Sequence, residues 1–113
     1  MSDIATVYAV FSTADEARRV GRAMVERRLA ACVNILAPAT SIYRWEGHVV
    51  DATEVPALFK TDAKLVQPLI EAIADAHGHE IPAIVSWGIE ARHPAYAAWV
   101  RAETKAEPAS PST

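Results

Sequence analysis

Three groups of side chains in this 113-residue sequence carry atoms suited to chemistry, and each implies a different kind. Cys32, the single cysteine, is a soft donor that binds copper or mercury as its thiolate. The commoner fate of a free cysteine is to pack as a small buried hydrophobe. His77 and His79 stand two apart in His77-Gly78-His79-Glu80. In an extended segment such residues point the same way, so two imidazoles can share one metal. The ordinary alternative is a helix-end histidine making hydrogen bonds. Tyr43, Trp45, Glu54 and Lys60 form the third group. On adjacent strands Tyr43 and Trp45 share one face, and Glu54 and Lys60 share a face of the next, which sets an aromatic wall beside a carboxylate and an ammonium. Such a wall suits a planar or anionic metabolite; the same residues equally suit a subunit interface with an ion pair at its rim.

Catalysis has less support. The sequence holds no Gly-rich phosphate loop, no His-Glu-x-x-His, no Cys-x-x-Cys and no Gly-x-Ser-x-Gly. A thiolate–imidazolium pair of Cys32 with His77 is the remaining route, yet Cys32 follows Ala30 and Ala31 in an apolar strand where a thiol tends to stay neutral. The chain therefore reads as a binding protein and not an enzyme. A formal net charge of -3 with no basic stripe argues against nucleic acid. No apolar run approaches the roughly 18 residues that cross a bilayer. Met1-Ser2-Asp3-Ile4 carries no basic and apolar leader, and a lone cysteine suits a reducing compartment, so the cytoplasm is the expected location.

The elements that must position these residues follow from periodicity. Ile4 to Phe11 is an apolar run of strand length. From Asp15, Ala17, Val20, Gly21, Met24, Val25 and Leu29 fall at the spacing of an amphipathic helix, with Ser12 or Thr13 as its cap and Arg18, Arg19, Arg22, Arg27 and Arg28 facing water. Ala31 to Leu36 and Ser41 to Trp45 read as strand interrupted by Pro38, and Glu46-Gly47 as a hairpin turn into a returning strand from His48 to Lys60. Leu65, Val66, Leu69, Ile70, Ile73 and Ala74 mark a second helix ending at Gly78. Ile81 to Ile89 is a last strand, and Pro94 opens a short helix that buries Tyr96, Trp99 and Val100. Residues 1–104 are expected to form one domain, and 105–113, rich in Pro, Ser and Ala, a disordered tail. His48 and His93 flank turns and are expected to be solvated.

The order β-α-β-β-α-β with a terminal helix is the split βαβ pattern of a ferredoxin-like α+β sandwich. Two helices cover one sheet face and leave the other short of cover, so apolar residues there form a patch that marks an interface. Homo-oligomerisation is the consequence.

Arg28-Leu29-Ala30-Ala31-Cys32-Val33-Asn34-Ile35, followed by Ser41-Ile42-Tyr43-Arg44-Trp45-Glu46-Gly47 and by Lys60-Thr61, resembles the signature of the CutA divalent-cation tolerance proteins. The resemblance runs from about Val7 to Trp99. It implies a PII-like trimer with the long central hairpin at its contact, and a cytoplasmic metal-binding protein of cation tolerance, copper above other ions, with Cys32, His77 and His79 as candidate ligands. It also implies an alternative, a PII-like cleft near Tyr43, Trp45, Glu54, Lys60 and Glu80 that takes a small molecule or a partner protein. The family pattern His-Pro-Tyr-Glu-x-Pro-Glu-Ile is kept at His77, Glu80, Pro82 and Ile84; Gly78, His79 and Ala83 depart from it. His79 thereby adds a nitrogen donor that the pattern does not predict.

Overall fold

In the computed structural model, which describes residues 2–108, β1 (Ile4–Phe11) is the strand that organises everything else. It is buried on both faces because it is central, bonded antiparallel to β4 (His48–Asp62) on one side and to β5 (Ile84–Ile89) on the other. β2 (Cys32–Ile35) pairs with β4, giving the order β2-β4-β1-β5, while β3 (Ala39–Trp45) pairs with the outer half of β4. This is the ferredoxin-like arrangement expected from the element order.

The long hairpin is closed by Glu46 and Gly47, at φ 48° and 83°. Both central positions are left-handed, as a two-residue turn matching the twist of the strands requires, and the glycine adopts that conformation without strain. Register then runs Tyr43 opposite Val50 and Trp45 opposite His48, so both aromatics share the sheet face of the even-numbered residues of β4.

α1 (Ala14–Glu26) starts at Thr13, whose hydroxyl accepts the Glu16 N–H at 3.1 Å. Its buried stripe of Ala17, Val20, Gly21 and Met24 packs on the sheet, and the arginines between lie outward. α2 (Val66–Ala76), entered through a tight turn at 63–65 that Asp62 caps, buries Leu69, Ala72 and Ile73 beside α1. The core therefore lies between the two helices and the odd-numbered residues of the central strands: Val7, Ala9, Phe11, Val55, Ala57 and Phe59.

α3 (Pro94–Glu103) crosses to the opposite sheet face, where Ala97 and Val100 meet Ile4 and Ala31, and Arg101 donates to Asp3 at 3.3 Å. It covers only one end of that face. Tyr96 and Trp99, expected to be buried by this helix, remain 37% and 45% exposed; Val100 is fully buried. Beyond it, the Lys105 N–H donates to the Arg28 carbonyl at 2.9 Å, and both Glu107 carboxylate oxygens accept from Arg27 at 2.8 Å. Of the stretch read as a disordered tail, 105–108 thus runs along the end of α1, and 109–113 lies outside the described residues.

Candidate functional site

The segment that follows α2 is fixed from two sides, beginning where the helix ends. The helix ends at Ala76 because His77 turns extended, with φ -80° and ψ 144°, and sends its ring into the core. There His77 Nε2 donates to the Val10 carbonyl at 2.6 Å, its Nδ1 accepts the His79 N–H at 3.0 Å, and the ring stacks on Phe11. A carbonyl can only accept, so the proton sits on Nε2 and the Nδ1 lone pair is already used. Neither nitrogen has an electron pair left for a metal.

Glu16 holds the same segment from the helix side. Its carboxylate accepts the Ser12 N–H at 3.1 Å and the Gly78 N–H at 2.9 Å, while its own N–H is bonded to Thr13, a variation on the capping box. A Cβ on Gly78 would come within 2.9 Å of that carboxylate, so glycine leaves room for the approach. His79 is exposed, and its Nε2 lies 2.6 Å from the Ser12 hydroxyl. Ser12 and Glu16 were not among the residues singled out for function; the Thr13-x-x-Glu16 spacing was the signal that could have found them.

With 77–83 held this way, β5 begins at Ile84 instead of Ile81. The freed residues face the hairpin across a cleft of ≈ 550 Å³. Tyr43, Trp45, Glu54 and Glu80 line it, together with Gly78, His79 and the apolar Val10, Ile81 and Ala83. Four of the five residues expected at a small-molecule site are therefore brought together. Lys60 is not: its ammonium donates to Asn34 Oδ1 at 3.1 Å, further along β4.

Cys32 sits elsewhere. It pairs with Lys60, which pairs with Thr6, whereas His77 reaches Val10, four residues or roughly 13 Å along β1. The strand register also puts Cys32 on the open sheet face and His77 against the core. One subunit does not bring the thiol to either histidine, and no cluster of three His, Cys, Asp or Glu suited to a metal exists among the described residues. The thiol's neighbour is the Tyr96 hydroxyl at 3.4 Å. Partial burial, followed by that contact, pushes the Tyr96 hydroxyl up to about 12.

Residues 5–103 match the family model described as CutA1 divalent ion tolerance protein. The divalent-cation tolerance protein CutA of Thermus thermophilus is 42% identical over 88 residues, 78% of this chain and 85% of that protein. Mouse protein CutA is 38% identical over 89 residues, 79% of this chain and 50% of that protein. The chain thus spans about half the length of the vertebrate relatives it matches. The crystal structure of CutA from Xylella fastidiosa superposes with a TM-score of 0.89 at 30% identity, covering 92% of this chain and 100% of that one.

Proposed function

The chain belongs to the CutA1 divalent ion tolerance family, and from that premise we propose that it serves cation tolerance as a cytoplasmic homotrimer that binds a small ligand and catalyses no reaction. The working site is the cleft between the hairpin and residues 78–83. The observation that carries this reading is the convergence of Tyr43, Trp45, Glu54 and Glu80 on one cavity of ligand size. Assembly is supported by the half of the sheet that α3 leaves bare, where Val85 and Trp87 are 54% and 48% exposed beside Tyr8. Monomers rarely leave such a patch to water.

Copper binding is the second reading, and Cys32 favours it. Its thiol is half-buried on the same open face, where neighbouring subunits would meet and add donors. His77 has no free lone pair to contribute, so the metal reading rests on Cys32 with at most His79.

Native mass spectrometry of the reduced protein, titrated with copper, tests both. The expected result is three times the subunit mass, a small-molecule adduct that Trp45→Ala loses, and a saturable whole-number copper load lost in Cys32→Ser and kept in His77→Ala. A monomer mass would overturn the trimer, and graded uptake without saturation would overturn a specific copper site.

A further inference from the structure

We infer that the cleft selects a planar organic cation, such as an amidinium, a guanidinium or a protonated aromatic amine, over a planar anion. This deepens the cleft reading above and rests on it.

The charge around the cavity has one sign. Glu54 and Glu80 line it, no lysine or arginine does, and among the described residues neither carboxylate forms an ion pair. Lys60, the cation that would have drawn an anion here, is held at Asn34. Arg44 stands between Tyr43 and Trp45 in the chain, and strand alternation sends it to the other face of the hairpin. Within one subunit, an anion entering the cleft would meet two carboxylates and no lysine or arginine; His79 also lines it, with its Nε2 already bonded to the Ser12 hydroxyl. A cation would meet those carboxylates and two aromatic rings, whose faces attract positive charge.

The cavity also argues for an organic body around that charge. Its ≈ 550 Å³ lies within the roughly 300–1,000 Å³ of small-molecule sites, far more than one ion fills. Val10, Ile81 and Ala83 add apolar lining, and the rings of Tyr43 and Trp45, 40% and 42% exposed, offer a surface on which a flat group can lie. The donors are not gathered closely enough to hold a bare metal ion.

The test is isothermal titration of the full chain with three probes of one shape: benzamidinium, neutral benzamide and benzoate. Benzamidinium is expected to bind best, and to bind less well as salt is raised. Glu54→Gln and Glu80→Gln should each weaken it about tenfold, the scale of one charged contact. Trp45→Ala should weaken it at least as much, and Lys60→Ala should not weaken it. Unchanged melting of the two Gln variants, whose side chains keep their size, separates lost binding from lost folding. Benzoate or benzamide binding as tightly as benzamidinium would overturn the charge selectivity and leave the cleft as a binding site. Failure of all three probes to bind would overturn both.

Discussion

The two faces of the central sheet are built from the same strands, and they differ in what covers them. Odd-numbered residues of β1 and β4 point at α1 and α2: Val7, Ala9, Phe11, Ala57 and Phe59 are all fully buried there. Even-numbered residues point the other way, where α3 reaches only the end near Ile4 and leaves Tyr8, Val85 and Trp87 partly bare. On β1 both sets are largely apolar, while on β4 the even set also carries Glu54, Lys60 and Asp62. A chain with two long helices has cover for one face, so one face stabilises the subunit and the other stays largely uncovered, as a surface that meets another molecule would.

The largest effect is expected on the covered face. Phe59→Ala removes a ring from the centre of the core and should cost about 3–5 kcal/mol, read from denaturant unfolding. A cost below about 1 kcal/mol would mean that this face is not the source of stability. His77→Ala comes next, since it abandons the Val10 carbonyl and the His79 N–H and opens a gap beside Phe11. About 2–3 kcal/mol of destabilisation follows from leaving buried polar groups without partners, with copper stoichiometry unchanged. Loss of copper with no loss of stability would instead identify His77 as a ligand.

His77 also shows where the sequence stops being legible. Its spacing to His79 is that of a metal pair, and nothing in one dimension reveals that its ring nitrogens are taken by a strand carbonyl and a backbone N–H. Element order, the hairpin turn and the face shared by Tyr43 and Trp45 were readable, because periods of 2 and 3.6 and a Glu-Gly turn are local signals. Four cleft residues were readable through strand alternation and the family pattern. Lys60 was misplaced because alternation gives the face of a residue and says nothing of distance along the strand; six residues beyond Glu54 put it roughly 20 Å away. The tie from Glu16 to Gly78 gives no such local signal, because it depends on α1 and the end of α2 meeting, with Gly78 lying 62 positions further along the chain.

On the open face the expected effects shift from stability to assembly. Trp87→Ser removes an exposed ring that leans on Tyr8 and should change the unfolding free energy of the isolated subunit by only about 0.5 kcal/mol. On the proposed trimer, sedimentation of this variant should show dissociation at protein concentrations where the parent remains assembled. An assembly of unchanged mass and dilution behaviour would place the subunit contact on another surface.

The smallest effect lies where α3 turns the open face into a covered one. The hydroxyl of Tyr96, itself on α3, is raised from 10.0 to about 12, first because partial burial desolvates it and then because it meets Cys32. Below pH 10 both folded and unfolded chains keep this proton, so it adds no pH dependence. Between pH 10 and 12 the unfolded chain gives the proton up while the folded chain holds it, and stability falls as pH rises. Because the ring is 37% exposed, the loss is modest. Denaturation midpoints measured from pH 9 to 12 should decline less steeply in Tyr96→Phe than in the parent, and tyrosinate absorbance should lose its latest step in that variant. Cys32→Ser separates the two causes: burial comes first, so most of the late ionisation should survive without the thiol. If it disappeared with Cys32, the contact with the thiol, and not partial burial, would be what distinguishes this end of the face.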